Sequence, residues 1–276
     1  MRNHRNSAHR ARRVLAYGAV WTLRAAAFGL LFLPIVLVIL LSFSGDAYTT
    51  LPPNSYSLRW YANAISRNEF VESFLTSVQV AVLATPLSVV IGTLAAYGLW
   101  KYPGSGARAL ESLLMAPILL PLVVTGLALL VFFNRGVLSS GLWNIVLAHV
   151  IVTFPYSFRS VLAVLGRYDR QLDEVAASLR VRPAAAFLHV TLPLIRPGLF
   201  AGALFAFVMS FDDFATTIFL ITPGTKTLPI AIYQYMEFNL DPTVSAVSAM
   251  LVLLSVVGVL VVDKVVGMDR FVGLRA

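Results

Sequence analysis

The sequence predicts an all-α integral membrane protein with six transmembrane helices and both the N-terminus and the C-terminus in the cytoplasm. Three observations carry that reading. The chain is 58% hydrophobic and only 12% charged, whereas a soluble domain carries roughly a quarter charged residues. Its mean hydropathy over 276 residues is +0.81. Its net charge of +8 is concentrated in a few hydrophilic segments between long apolar runs. With no cysteine in the chain, disulfide frameworks, thiol catalysis and cysteine-based metal sites are excluded.

A hydrocarbon core about 30 Å thick needs about 20 apolar residues of helix. Six stretches satisfy this, at 21–43, 77–99, 110–133, 141–165, 198–221 and 246–262. The first is longer than the apolar part of a signal peptide and lacks a small-residue cleavage pattern after it. The runs are continuous rather than alternating, which excludes barrel strands. The resulting organisation is a basic cytoplasmic tail at 1–20, a first span at 21–43 and an outside loop at 44–76. A five-helix core follows at 77–265, with a long cytoplasmic loop at 164–197, and then a cytoplasmic tail at 266–276.

Orientation follows from the basic residues. Only Arg59, Arg67, Arg135 and Lys226, of 21 Lys and Arg, fall in segments assigned to the outside. The rest lie in the N-terminal tail with Arg24, the 100–109 loop, the 159–197 region and the C-terminal tail. Positive residues collect on the cytoplasmic side, where anionic lipid attracts them. The run MRNHRNSAHRARR therefore reads as a topology anchor, with the lipid bilayer and not nucleic acid as its partner.

Two outside loops have character of their own. The first contains PPNSYSLRWYANAI, with an aromatic pair suited to an interface. The last, 222–245, reads PGTKTLPIAIYQYMEFNLDP, and its apolar middle predicts a short helix lying against the membrane. Asp241 and Pro242 then supply an N-cap and first turn for the sixth span. No internal repeat and no low-complexity tract is apparent.

Catalytic patterns are missing. There is no phosphate-cradling Gly-rich loop; the nearest spacing, Gly258 to Lys264, has Asp263 where the second Gly belongs. Neither a His-Glu-x-x-His helix nor a Gly-x-Ser-x-Gly elbow occurs. Of four histidines, His4 and His9 lie in the tail and His189 in the cytoplasmic loop, which leaves His149 alone within a span. A lone intramembrane histidine is expected to hydrogen-bond between helices. The chain does not read as an enzyme, and it offers no metal set.

The cytoplasmic loop is the informative segment. Residues 172–198 read LDEVAASLRVRPAAAFLHVTLPLIRPG. Asp173 and Glu174 open one helical run, where acidic side chains are favoured. Pro183 starts a second, Leu192-Pro193 closes it, and Arg196-Pro197-Gly198 leads into the fifth span. The small residues Ala176, Ala177, Ala184, Ala185 and Ala186 allow another surface to approach closely. From the residues alone, the loop is either such a docking element or an amphipathic pair resting on the membrane.

This loop resembles the signature of permease subunits of binding-protein-dependent ABC importers: Glu-Ala-Ala, three residues, Gly, then about nine residues to Ile-x-Leu-Pro. Glu174, Ala176, Leu179, Pro183, Leu192 and Pro193 match it. Val175 replaces the first Ala and Arg180 replaces the Gly. If that position is left-handed, Arg there costs roughly 1 kcal/mol or more. Further stretches, YSLRWYANAI, GTLAAYGLWKYP, LAHVIVTFPYSFRSVLAVL, SFDDF and LPIAIYQYMEFNLDPTVSAVSAM, are similar to the second permease of spermidine/putrescine importers. The resemblance implies a type I importer permease fold: five core spans plus one N-terminal span. It also implies an ATPase-coupling role for Asp173, Glu174, Ala176, Ala177, Leu179, Arg180, Pro183, Leu192 and Pro193. The implied partners are a second permease subunit, an ATPase dimer that binds the ATP, and an external solute-binding protein; this chain itself binds no cofactor. Permeases for opines, aminophosphonates and ferric ions share the scaffold and remain alternatives for the cargo.

Within FVMSFDDFATTIF, Asp212 and Asp213 lie about halfway along the fifth span. A charge at that depth costs at least about 2.5–3.5 kcal/mol on insertion scales, so it faces a cavity or a partner. Adjacent helical positions point about 100° apart, so the two cannot share one job. At least one is expected to face the substrate path and offer charge to a cation, with Phe211 and Phe214 adding cation–π contacts. The competing reading is structural, with a carboxylate bonded to Ser210, Thr216, Thr217 or a partner subunit. Pro86, Pro117, Pro121 and Pro155 are expected to kink their spans. A proton-coupled secondary transporter would need more intramembrane ionisable groups than this pair and His149.

Overall fold

The computed structural model describes residues 2–48, 50–137, 141–169 and 171–266. Arg170 and nearly all of the predicted C-terminal tail, with Arg270 and Arg275, lie outside the described residues. Among the described residues the chain is helical, and its one extended pairing is an isolated bridge between Ser44 and Tyr56. It divides into two compact units: 1–67 with 236–276, and 68–235.

The first unit holds α1 (Arg2–Ser42), α2 (Arg59–Ser66) and α12 (Thr243–Val266). At 1.5 Å per residue, the 41-residue α1 is about 60 Å long, twice a hydrocarbon core. Its apolar part is Val20–Ser42, so the basic tail continues the same helix instead of forming an irregular arm. The α2 helix is amphipathic, burying Trp60 and Ala64 at i and i+4. Trp60 Nε1 donates to Ser44 O at 2.8 Å, and Tyr61 Oη lies 2.6 Å from Ser42 Oγ, which ties α2 back to the end of α1. Between them the Asp46 carboxylate accepts from Thr50 Oγ1 and the Asn54 amide. Those bonds, the one from the Asn54 amide foremost, hold its pKa below the ordinary carboxylate value. The predicted Asp241 cap is present, its Oδ1 accepting from Thr243 N at 2.9 Å, and Asn63 Nδ2 donates to Thr243 Oγ1 at 2.8 Å.

The second unit is organised around three mutually packed helices, α3 (Asn68–Lys101), α6 (Gly141–Leu165) and α10 (Arg196–Phe211). The α3 helix begins nine residues before the expected span, so the outside loop read at 44–76 ends at Arg67. Glycines set the approach: a Cβ on Gly202 would lie 2.8 Å from Ser157 Cα, and one on Gly198 would lie 2.9 Å from Ser160 O. Since lipid tails are as apolar as the helices, close backbone approach by small residues, not hydrophobic burial, drives such association. Ser157 Oγ also donates to Gly202 O at 3.1 Å, and Ser88 Oγ lies 2.7 Å from Thr153 Oγ1. Apolar side chains fill the two ends of the bundle. Val80, Ile145, Val146 and Leu220 lie in one cluster; Ala96, Phe158, Val161 and Ile195 lie in the other.

Two expected spans are not single straight helices. The third is α4 (Ala107–Leu119) and α5 (Leu122–Phe132), bent by 98° at Leu120-Pro121. Pro121 removes the hydrogen-bond donor that would carry the helix through, whereas Pro86, Pro117 and Pro155 lie inside continuous helices and do not interrupt them. The fifth, expected at 198–221, is helical only to Phe211; a 3₁₀ turn follows at Thr217–Phe219. The predicted helix in the last outside loop is α11 (Leu228–Phe238). Within the second unit, Leu228 N donates to Ser77 Oγ at 2.9 Å and Lys226 pairs with Glu69 at 2.7 Å. Among the described residues three helices are long and apolar enough to cross a membrane, up to five if each bent pair counts as one span; α12 contributes a shorter apolar run, Thr243–Gly258.

The glycine contacts make a direct prediction. Gly202→Ala should lower the thermal unfolding midpoint of the purified protein by several degrees, corresponding to about 1–3 kcal/mol of overpacking. Gly98, also helical but with nothing within 4 Å of its would-be Cβ, should accept Ala without loss. Equal midpoints for the two variants would refute close α6–α10 packing.

Candidate functional site

Two features of the second unit stand out: the loop at 164–197 and the break after α10. In the loop, α7 (Gln171–Ser178) holds Asp173, Glu174, Ala176 and Ala177. Ala176 is buried, Glu174 is exposed, and Tyr168 Oη donates to Asp173 Oδ1 at 3.0 Å. Burial raises the Tyr168 phenol pKa, and the Asp173 carboxylate beside it adds to the rise. Leu172, Val175 and Leu179, spaced three and four apart on one face, are all exposed, Leu179 by 72%.

The helix ends in a left-handed turn. Val181 N donates to Ala176 O at 3.1 Å, the six-to-one bond of a Schellman cap. Arg180 is the residue that turns, at φ 57°, the only non-glycine with positive φ among the described residues. The conformation expected of a glycine thus persists with arginine in its place.

Pro183 opens α8 (Pro183–Ala186), which continues through a π-turn at Phe187–Thr191 into α9 (Leu192–Leu194). Leu192-Pro193 therefore does not close the second run. The chain breaks at Ile195 and bends by 72° into α10. Aromatic contacts tie this loop to the end of α3. Tyr97 meets Phe187 at 4.8 Å, and Trp100 meets Tyr168 edge-on at 5.1 Å between ring centres.

The break separates the two carboxylates. Asp212 caps the C-terminus of α10 and is exposed, while Asp213, one residue on, is 6% exposed. Asp213 Oδ1 accepts from Thr216 N at 3.0 Å, and its Oδ2 lies 3.4 Å from Nε2 of fully buried His149. The imidazole reaches both sides of the break: Nδ1 is 2.7 Å from Ser210 Oγ, and Nε2 is 2.8 Å from Thr217 Oγ1. Behind it, Thr153 Oγ1 donates to His149 O at 2.6 Å and meets Ser88. His149 is thus the interhelical hydrogen bonder its isolation suggests, but its pairing with Asp213 had no signal in the sequence: they are 64 residues apart with no shared motif. Phe211 packs edge-on against Phe74 at 5.9 Å and Phe214 against Tyr233 at 5.0 Å, so both rings are engaged with other aromatics. Among the described residues no cluster of His, Asp and Glu fit for a metal occurs.

The second unit combines an apolar helical bundle, a loop helix with an exposed apolar face and a break that carries two carboxylates. Comparison with known proteins gives the family. Residues 88–267 match the family described as binding-protein-dependent transport system inner membrane component, and the chain belongs to it. It is 27% identical over 228 residues to the spermidine/putrescine transport system permease protein PotC of Haemophilus influenzae, covering 83% of this chain and 88% of that one. It is 28% identical over 236 residues to the putrescine transport system permease protein PotI of Escherichia coli, covering 81% and 82%. The putative 2-aminoethylphosphonate transport system permease protein PhnV of Salmonella paratyphi A is 28% identical over 208 residues, covering 75% and 78%. The same fold occurs in the crystal structure of a bacterial ABC transporter involved in import of the acidic polysaccharide alginate, with TM-score 0.68 and 17% identity over 91% of this chain and 95% of that one.

The left-handed arginine is directly testable. Arg180→Gly should stabilise the α7 turn relative to Arg180→Ala by about 1 kcal/mol, since both remove the charge and only Gly removes the Cβ penalty. Slower hydrogen exchange at Leu179 and Val181 in the Gly variant than in the Ala variant is the expected reading; equal rates would contradict the strain.

Proposed function

We propose that this chain is the transmembrane permease subunit of an ATP-driven ABC importer and that its cargo is a small cationic solute, a polyamine such as putrescine or spermidine. In this reading it crosses the bacterial cytoplasmic membrane six times with both termini inside. A second permease subunit, an ATPase dimer and an external solute-binding protein complete the importer. The single observation that carries the cargo reading is the exposed Asp212 at the C-terminal end of a helix that stops within its span. Helix C-termini carry partial negative charge, so a carboxylate there adds to a field that repels anions and attracts ammonium groups. Irregular backbone at membrane depth is tolerated where it is buried in protein or lines a watery cavity. Asp213 takes the buried side and Asp212 the other. The relatives named for spermidine and putrescine support the same cargo; one named for 2-aminoethylphosphonate supports a different one, but a phosphonate would meet Asp212 as a like charge.

The loop supplies the energy input. Docked in a cleft of the ATPase dimer, the exposed Leu172, Val175 and Leu179 face would be buried, with Glu174 beside it. The Tyr168–Asp173 bond and the Tyr97–Phe187 contact give the loop a rigid connection to α3, through which its displacement reaches the span.

Two experiments test these assignments. Glu174→Lys should insert normally, yet lose ATPase in co-purification and transport roughly tenfold or more slowly, as follows from about 1.4 kcal/mol of lost docking energy. Undiminished uptake would remove the coupling assignment. Asp212→Asn should keep normal assembly on a sizing column and ATPase binding while lowering radiolabelled putrescine uptake in reconstituted vesicles about tenfold, or about 1.4 kcal/mol in the barrier. Wild-type uptake by Asp212→Asn would end the path role.

A further inference from the structure

The clasp around His149 has a purpose beyond holding two helices together. Four polar groups meet there from two sides of one discontinuity: Ser210 from the last turn of α10, Asp213 from the non-helical link, Thr217 from the 3₁₀ turn, and the imidazole from α6. The imidazole spends both ring nitrogens on the break, and no other described side chain bridges it. Thr153 and Ser88 extend the support from behind to α3. Asp212, which none of these contacts engages, lies in the link between Ser210 and Asp213 and is exposed.

We infer that His149 is a positioning residue for cargo passage: by clasping Ser210, Asp213 and Thr217 it fixes the break so that Asp212 is presented to a passing ammonium group. This rests on the path reading of Asp212. The physical reason is that a five-residue non-helical link carries no intrahelical ladder to define side-chain directions. Without the imidazole, Ser210 and Thr217 lose the group that joins them and Asp213 loses the ring nitrogen 3.4 Å from its Oδ2, and a carboxylate so buried must find another partner or turn toward water. Turning the link rotates Asp212 off its aim. The role is distinct from a purely cohesive one, because Gly92, Gly198 and Gly202 already bring α3 and α10 against α6 independently of this contact.

The complete importer, reconstituted in vesicles with its ATPase and loaded binding protein, tests this with radiolabelled putrescine. His149→Leu and Thr217→Val should each lower uptake about fivefold, an effect of the size found within a single hydrogen-bond network. ATP hydrolysis stimulated by the loaded binding protein should stay within about twofold of wild type, because docking and switching are untouched. Combined with Asp212→Asn, either substitution should add nothing further, since a misdirected carboxylate and an absent one are equivalent. His149→Gln, whose amide reaches the position of Nε2, should recover most of the uptake. A purely structural role predicts multiplied losses in the double variants, parallel loss of ATP hydrolysis and no preference for Gln; that pattern overturns the inference. Should His149→Leu fail to assemble, Thr217→Val, nearly identical in shape, decides alone, and its wild-type uptake would also overturn it. If Asp212→Asn itself transports normally, the path reading fails; if Asp212→Asn is impaired but the clasp variants are normal or additive, only the present inference fails.

Discussion

Every polar group inside a bilayer must find its partner within the protein, and this constraint is concentrated where α10 stops at Phe211. A continuous fifth helix would satisfy its own backbone. A helix that ends there exposes its last carbonyls and then adds two carboxylates, each costing about 2.5–3.5 kcal/mol at mid-span if left alone. The structure meets part of the cost locally, leaving the buried Asp213 Oδ2 without a hydrogen bond. Asp213 turns back onto the Thr216 amide and toward His149, and the imidazole bonds on either side of the gap. Such an arrangement is weak evidence for stability, since a well-packed apolar replacement often does as well. Retaining charge there instead points to function.

The rest of the second unit can be read as what puts His149 in reach. Hydrophobicity does not pull helices together in lipid, so contact geometry has to. Gly92 and Gly202 let the α3 and α10 backbones approach α6 at Phe158 and Ser157, and Ser157 bonds back to the Gly202 carbonyl. These contacts fix the rotation of α6. The same rotation turns His149, eight residues before Ser157, to the level at which α10 ends. Packing and site are therefore one construction: a small residue on α10 sets the distance across which the imidazole bonds.

The apolar runs and the helical loop at 164–197 were legible in the sequence because both rest on local features: run length, prolines, and a spacing of Glu, Ala, Leu and Pro. The left-handed turn at Arg180 was legible too, though only through the glycine that the resemblance places there. The breaks were not. FAFVMSFDDFATTIF stays apolar across the end of α10, and hydropathy does not record whether a helix continues. Proline was an ambiguous guide, since Pro121 ends a helix whereas Pro86 and Pro155 lie inside helices that stay continuous. The pairing of His149 with Asp213 is a tertiary fact with no local trace.

The break also resolves a difficulty that a continuous helix would leave. Two adjacent carboxylates on an α-helix point about 100° apart at almost the same depth, so both would be drawn into one environment or one would be stranded in lipid. Ending the helix at Phe211 frees the link to turn, which lets Asp213 fold inward to 6% exposure while Asp212 remains exposed. Each then has surroundings of its own: a backbone amide and the nearby histidine for one, and the open side of the chain for the other. The buried member anchors the link, and the anchored link gives the exposed member a defined direction. Two adjacent carboxylates become tolerable for a membrane protein under these conditions, because only one of them is buried in the protein and the other stays accessible.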